Sequence, residues 1–396
     1  MNGIELLVSE VRKIEDFRKL RGQRYKLHNL LSIFILAIIA GADDFVAIST
    51  FASSKKVFLV KHGLIQDNRI PSHDIFRHVL MMLKKSELAK LLAIWLQNAV
   101  DNSSSTTSTV ATIAPNDLQP KMIHIDGKSL RATRKGNQHT RSALQIVSAY
   151  CSNNSITIGQ QIIEKKSCEK TAIPQLIKML DLQSTVVTID AIASFKATAK
   201  LIVSKKADYL LALKKNNKHL FWEVESFFET FIDTALIIDV FSSEENAHGR
   251  YEKRTCRVIS DLKYLPDVQK WKNLKSIICV ESIRTIHNKP NKTSIEKRYY
   301  LSSLEPNAQI LAQCIRKHWT VENELHWSLD VSFNEDKCKI RDKNAAANFA
   351  ATRRFALGLL KNAKLSNVGI KNQRLQAAWD DSFLEKLFLF FNHNIL

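Results

Sequence analysis

Apolar residues recur at helical spacing through the first hundred residues of the chain. The pattern predicts helices at 28–42, 44–61, 72–82 and 86–99, after a basic amphipathic stretch that runs to Arg24. Ser72 follows Pro71 and is placed to cap the helix at 72–82. The apolar run from Leu30 to Ala42 is too short to span a bilayer, so it is interpreted as a core helix. Residues 1–100 are therefore predicted to form an all-helical region.

Serine and threonine dominate the next stretch. Eight of the twelve residues from 101 to 112 are Ser or Thr, a composition that cannot bury enough apolar surface to fold. We predict a linker over residues 101–117.

Beyond the linker the pattern changes to short runs typical of strands, with helical spacing between the later ones. Strands are predicted at 121–126, 143–151, 155–163, 185–190 and 208–213, and helices at 170–180 and 195–206. This order implies a mixed α/β sheet, with an antiparallel meander first and parallel crossovers after it.

Residues 248–303 offer three more strand candidates, and helices follow from about 307 and from 344 to 362. We expect a catalytic α/β domain over 118–235 that is interrupted by a β-rich insertion over 236–305 and completed by helices over 306–396.

The charge balance indicates the kind of partner. There are 58 Lys and Arg against 39 Asp and Glu, a net charge of +19, which is typical of proteins that bind a polyanion such as nucleic acid. The six cysteines form no C-x-x-C pair, which argues against a zinc ribbon or a disulfide framework. With no secretory or membrane-spanning segment evident, we expect a cytoplasmic protein that does not bind membranes.

Two of the predicted strands end in aspartate, Asp126 after "MIHI" and Asp190 after "TVVTI". Open α/β sheets bind ligands at the carboxyl ends of their strands. If the two strands are neighbours, the two carboxylates can converge on one Mg²⁺. For either residue alone, capping of a turn is the simpler explanation.

A third group of polar residues lies in "HWTVENELHWSLD". Within one helix His318, Glu322, His326 and Asp330 would form a polar stripe, because they are four residues apart. A zinc site is disfavoured because the two histidines would lie about 12 Å apart along the helix axis. A solvated helix face with local ion pairs is the remaining alternative.

The stretches "HIDGKSLR", "TIDA", "DYLLALKKN", "HGRYEKR" and "HWTVENELHWSLDVSFNED" together resemble the DDE transposases of bacterial insertion sequences, in the branch of the H-repeat-associated proteins. "AGADDF" and "IPSHDIF" resemble the transposase-associated helical region of that branch. The likeness runs in order from about Asp16 to Lys361.

The resemblance implies a ribonuclease H-like catalytic core that acts on double-stranded DNA, at transposon ends and at a target. It implies that Asp126, Asp190 and Glu322 hold two Mg²⁺ or Mn²⁺ ions. A homo-oligomer, expected to be a dimer on DNA and so associated with the nucleoid, would follow. Phosphate contacts are expected from Lys128, Arg131, Arg134, Arg141, Lys214, Lys215 and Lys218, and a supporting role from His318 and His326.

The sequence departs from the branch beside the second aspartate, where Ala193 and Phe195 replace a glycine and a glutamine. Two alternatives therefore stay open beside the transposase. One is a structure-specific nuclease on the same core, and the other is a catalytically degenerate DNA-binding protein.

Overall fold

The computed structural model describes residues 2–66, 69–106, 120–134, 143–163, 168–231, 239–247, 249–263, 265, 267–287 and 289–392. The chain divides into two compact units. The first unit contains 1–117, 127–163 and 322–396, and the second contains 118–126 and 164–321. The predicted domain boundaries stay a prediction. Among the described helices, none combines the length and the apolar character that a membrane crossing requires.

The helices are α1 (Gly3–Val11), α2 (Leu27–Ile39), α3 (Phe45–Ser54), α4 (Lys56–Lys61), α5 (His73–Met82), α6 (Glu87–Thr106), α7 (Glu169–Met179), α8 (Lys196–Ser204), α9 (Lys218–Phe231), α10 (Ala308–His318), α11 (Trp327–Phe333), α12 (Lys343–Ala363), α13 (Ile370–Trp379) and α14 (Asp381–Leu387). The strands are β1 (Lys121–Leu130), β2 (Leu144–Cys151), β3 (Ile156–Ile162), β4 (Thr185–Ile189), β5 (Asp208–Leu213), β6 (Asp239–Ala247), β7 (Arg250–Ile259), β8 (Ser276–Ile286) and β9 (Lys289–Ser302).

The first unit is built around two buried helices. Twelve of the thirteen residues of α2 are buried, which confirms the predicted core helix. Helix α12 is buried along nearly its whole length, and it packs against α2, α5, α6 and β3. Trp95 of α6 stacks on Phe391, with ring centroids 3.8 Å apart, so an aromatic cluster closes this core.

Helix α6 runs to Thr106, so the first part of the predicted linker is helical. A buried stripe of Leu92, Leu96 and Ala99 anchors this helix in the core of the first unit. Once a helix is anchored, each added residue gains one backbone hydrogen bond, which outweighs the low helix propensity of serine. The later part of the predicted linker, 107–117, lies outside the described residues.

The nine strands form one mixed sheet in the order β3-β2-β1-β4-β5-β9-β8-β7-β6. In the second unit β1, β4 and β5 are parallel neighbours, and β9, β8, β7 and β6 continue the sheet as an antiparallel meander. Helix α10 covers the sheet by packing Leu311 and Cys314 against Met122, Val186 and Ile278. The mixed α/β class with an N-terminal helical region is confirmed.

Two elements of the second unit were not predicted from the sequence, α9 and β6. The sequence of α9 does carry an apolar pattern that predicts a helix. Its buried residues recur at helical spacing: Leu220, Val224, Phe227 and Phe228. The sequence of β6 does not show the apolar pattern of a strand. This strand lies at the sheet edge and carries mostly polar residues that are half-buried or exposed.

Candidate active site

Asp126 and Asp190 follow equivalent positions of two neighbouring strands. Strands β1 and β4 are parallel, and their register pairs Ile125 with Ile189. Each aspartate is the next residue along its strand direction, so the two side chains leave adjacent backbones, which in a sheet are about 4.8 Å apart. The strands are buried up to this point, whereas both aspartates are half-buried. The hypothesis that these strands are neighbours is confirmed.

Asp190 has defined partners within the second unit. The backbone N–H of Ala191 donates to its Oδ1 at 2.7 Å, and the Lys214 ammonium lies 2.9 Å from Oδ1 and 3.0 Å from Oδ2. Burial acts to raise the pKa of Asp190, but these hydrogen bonds and the Lys214 charge outweigh it and lower the pKa. The carboxylate is therefore ionised at neutral pH.

The chemistry of this pair fits a hard divalent cation. Carboxylate oxygens are the ligands that Mg²⁺ and Mn²⁺ prefer, and partial exposure leaves room for water and substrate oxygens to complete the coordination. Asp190 is ionised, and a divalent ion bound there would replace the Lys214 ammonium at one or both of its oxygens.

Beneath the aspartates, the buried His124 and the half-buried His318 share one threonine hydroxyl. Thr188 Oγ1 lies 2.6 Å from His124 Nδ1 and 2.7 Å from His318 Nδ1. A hydroxyl donates one hydrogen bond and accepts up to two, so at least one of the two rings donates from Nδ1. His318, predicted to support Glu322, thus contacts the strand that leads to Asp190. His124 and Thr188 were not identified from the sequence, although both lie two residues before an aspartate.

Burial keeps these histidines neutral. Chiefly through burial, the pKa of His124 falls to about 3 and that of His318 to about 4. In the first unit burial, followed by the charges of Arg354 and Lys128, lowers the pKa of His326 to about 3. His326, the second predicted supporting residue, is half-buried there.

These histidines predict acid sensitivity. An unfolded histidine titrates near pH 6.5, so below that pH the unfolded chain binds protons that the folded chain does not. The free energy of unfolding should therefore fall on acidification from pH 7 towards the folded pKa values of 3 to 4. Each histidine contributes about 1.4 kcal/mol per pH unit once the pH is well below 6.5.

Urea unfolding at pH 7 and pH 5 measures this effect. His318→Gln should weaken the pH dependence, whereas His78→Gln, at an exposed position of α5, should leave it unchanged. Equal pH dependence in His318→Gln and the natural chain would refute the explanation.

Glu322 lies on a short π-helical segment, Val321–His326, between α10 and α11. Val321 and Leu325 are buried and anchor the segment, whereas Glu322 is exposed. Its neighbour Glu324 accepts a hydrogen bond from the Tyr150 hydroxyl at 2.9 Å within the first unit. Glu322 belongs to the first unit, and the two aspartates belong to the second. That the three carboxylates bind the same pair of ions is therefore proposed below.

The expected polar stripe on a single helix is wrong. Helix α10 ends at His318 and α11 begins at Trp327, with the π-helical segment between them. A π-helix forms i→i+5 hydrogen bonds, so side chains four residues apart no longer align. Asp330 instead pairs with Lys128 within the first unit.

Lys128 is buried in a charge cluster rather than exposed. Its ammonium donates to Asp330 Oδ1 and to the His326 carbonyl at 3.3 Å, and it lies 3.3 Å from Glu335 Oε2 as an ion pair. Glu335 is fully buried, and Arg354 donates to it at 2.8 Å. Burial alone would raise the pKa of Glu335, but Arg354, Lys128 and Arg353 lower it to about 2. We therefore leave Lys128 out of the proposed DNA contacts.

The other predicted DNA contacts differ in their surroundings. Arg131 is exposed and its Nε lies 3.3 Å from Asp336 Oδ2, and Arg134 is half-buried. Arg141 lies outside the described residues. Lys215 and Lys218 are exposed, and the Lys215 ammonium lies 4.9 Å from the ring centroid of Trp222.

The two residues that depart from the branch are not on the open surface. Ala193 is fully buried in a short turn, Ala191–Ala193, directly after Asp190. Phe195 is half-buried, with the Lys170 ammonium 5.1 Å from its ring centroid. Ala193 is therefore a packing residue.

Among the described residues, His219, Glu223 and Asp267 form a group whose ligand atoms lie within 4.8 Å of one another. Both oxygens of Asp267 already have partners, His219 Nδ1 at 3.0 Å and the Lys270 ammonium at 2.8 Å. We assign no ion to this group.

Two family models match the chain. Residues 8–96 match the model described as DDE_Tnp_1-associated, and residues 118–359 match the model described as Transposase DDE domain.

Curated relatives match along almost the whole length. The chain is 33% identical over 387 residues to "Putative transposase YncI" of Escherichia coli O157:H7, covering 97% of this chain and 95% of the relative. It is 32% identical over 385 residues to "H repeat-associated putative transposase YhhI" of Escherichia coli K12, covering 96% and 97%. A solved piggyBac transposase synaptic complex with hairpin DNA aligns with a TM-score of 0.41 and 10% identity, over 97% of this chain and 78% of that one.

Proposed function

The chain belongs to the DDE transposases, a family that acts in DNA transposition, and we propose that it cuts transposon ends and joins them to target DNA. Asp126, Asp190 and Glu322 are the proposed ligands of two divalent ions, Mg²⁺ or Mn²⁺. The observation that carries the proposal is the register of β1 and β4, which puts Asp126 and Asp190 on adjacent strands directly after buried segments.

The protein side chains have separate roles in this proposal. The ions, when bound, supply activation of water or a 3′-hydroxyl and neutralise the leaving oxygen. Asp190 is held ionised by Ala191 and Lys214 and offers its oxygens at neutral pH. Thr188, bonded to His124 and His318, holds the end of β4 and so orients Asp190.

DNA is the proposed partner, as transposon ends and as target. Lys214, Lys215 and Lys218 follow β5 and are exposed, so they can meet phosphates near Asp190. Arg131 and Arg134 are proposed to contribute from the first unit, and a dimer on DNA is proposed as the active assembly.

A strand-transfer assay tests the proposal. The purified chain is incubated with labelled element ends, target DNA and Mg²⁺ or Mn²⁺. Joined product supports a transposase. Cleavage without joining indicates a nuclease on the same core, and retarded but uncut DNA indicates a protein that only binds DNA.

Glu322→Gln should abolish metal-dependent cleavage and joining, because an amide lacks the charge that holds the second ion. Glu324→Gln is the matched control, since a glutamine can still accept the Tyr150 hydrogen bond, and it should retain activity. Both variants should bind DNA like the natural chain in a mobility-shift assay. Loss of cleavage in Glu324→Gln with full activity in Glu322→Gln would move the assignment to Glu324.

A further inference from the structure

A cavity of about 990 Å³ lies within the first unit. One wall is the start of α3, a second is the face of α5 that carries His73, Arg77 and Met81, and the third is the segment 334–342. None of the proposed metal ligands lines this cavity.

Buried and exposed residues alternate along the third wall. Cys338 and Ile340 are buried and fix the segment against the core, whereas Lys337, Lys339 and Arg341 are exposed. The three cations therefore lie at every second position of one segment, with Lys337 at the end of a short 3-10 helix, Glu335–Lys337.

The acidic residues of the cavity are engaged by the protein itself. Asp43 accepts from Asn334 at 2.8 Å and from Arg374 at 3.4 Å. Asp44 caps α3 by accepting from the Ala47 N–H, and Asp342 caps α12 by accepting from the Ala345 N–H. Asp43 is therefore paired with a cation outside the lining, whereas Asp44 and Asp342 keep their negative charge and are fixed at the starts of their helices.

The basic residues of the cavity have no such partners. In the part of the chain that the structure describes, no carboxylate pairs with Arg77, Lys337, Lys339 or Arg341. Four exposed cations line one cavity from two walls, and they outnumber Asp44 and Asp342, the lining carboxylates that are not paired with Arg374. This surplus of positive charge suits an extended polyanion.

We propose that this cavity binds the sugar-phosphate backbone of DNA, as a contact additional to those near Asp190. The proposal rests on the proposed function, because it takes DNA as the partner. The cations lie on two walls, three on the segment 337–341 and Arg77 on α5, and this distribution fits a strand that passes between the walls better than a compact anion.

The test compares two triple variants that remove equal charge from the same unit. The first is Lys337→Gln, Lys339→Gln and Arg341→Gln. The control is Lys90→Gln, Lys371→Gln and Lys386→Gln, at exposed positions of α6, α13 and α14 that do not line the cavity. Affinity for a labelled DNA duplex is measured for each full-length chain at several salt concentrations.

Each phosphate contact contributes about 0.9 to the slope of log K against log salt. The cavity variant should lose about 2 to 3 from that slope, and the control less than 1. Equal slopes in the two variants would overturn the cavity as a binding site while leaving DNA binding itself intact. Absence of DNA binding by the natural chain would overturn both this proposal and the proposed function.

Two further measurements guard against a folding defect. Arg77→Gln, on the opposite wall, should lower the slope by about 1 without altering the segment 337–341. Bound DNA should also protect Lys337 and Lys339 of the natural chain from chemical acetylation more than Lys371 and Lys386. Equal acetylation of the two pairs would contradict the proposal.

Discussion

Replacing Asp126 or Asp190 with asparagine should abolish metal-dependent cleavage and leave DNA binding intact. The amide keeps the shape of the side chain but loses the negative charge that a divalent ion requires. Removing one group that stabilises transition-state charge costs about a thousandfold in rate. Binding should persist because phosphate contacts come from cations, and the loss of a carboxylate reduces repulsion of DNA.

Asp181→Asn is the matched control for these two variants. Asp181 is exposed, precedes β4 and accepts the Gln183 N–H at 3.2 Å, so its replacement leaves the carboxyl ends of the strands unchanged. Cleavage assays with Mg²⁺ and with Mn²⁺, beside mobility-shift assays, measure both properties. A variant at Asp126 or Asp190 that cleaves at the natural rate would remove that residue from the proposed set.

Lys128→Met should destabilise the protein by about 3 to 5 kcal/mol, because it removes one of the two cations that compensate the buried Glu335 and leaves Asp330 without this partner. Lys128 is buried, with Asp330 and the fully buried Glu335 around its ammonium. Urea unfolding gives the change in the free energy of unfolding. Lys339→Met, at an exposed position of the same unit, should change it by less than about 0.5 kcal/mol.

A double variant distinguishes a charge effect from a packing effect. Adding Glu335→Gln to Lys128→Met removes the carboxylate charge that Lys128 shares with Arg354, so the double variant should cost less than the sum of the two single variants. Additive losses would indicate packing alone. A Lys128→Met chain with natural stability but weakened DNA affinity would restore the original interpretation of Lys128 as a phosphate contact.

The strands and their aspartates could be predicted because the signals are local, although β1 continues to Leu130 and does not end at Asp126 as predicted. An apolar run ending at a charge is visible in "MIHID" and "TVVTID" without knowledge of the fold. The two aspartates are predicted to lie close together only if the first and fourth strands are neighbours. The order of the sheet confirms that they are. Helix α2 could be predicted equally well, because its apolar residues form a nearly continuous run.

The backbone around Glu322 could not be predicted in the same way. Val321, Leu325 and Leu329 are all buried at four-residue spacing, which suits a regular helix. The π-helical segment arises from tertiary packing, and the 3.6-residue period of the sequence carries no mark of it. The predicted stripe therefore failed where the hydrogen-bonding pattern changes.

Buried charges were missed because the sequence does not reveal burial of a charged residue. Nothing in the sequence distinguishes Lys128, Glu335 and Arg354 from exposed residues of the same types. The residues that they pair with are distant along the chain. Lysine side chains are rarely buried in proteins. The sequence therefore favours an exposed Lys128 that contacts phosphate. Only the packing of "HIDGK" against the segment that holds Asp330 and Glu335 indicates otherwise.

A crystal structure of the full chain on DNA with Mn²⁺, with the ions located by anomalous scattering, tests the central claim most directly. The account predicts two ions about 3.5 to 4 Å apart, bound by the carboxylates of Asp126, Asp190 and Glu322. Ions held only by His219, Glu223 and Asp267, or a Glu322 carboxylate that contacts neither ion, would contradict it.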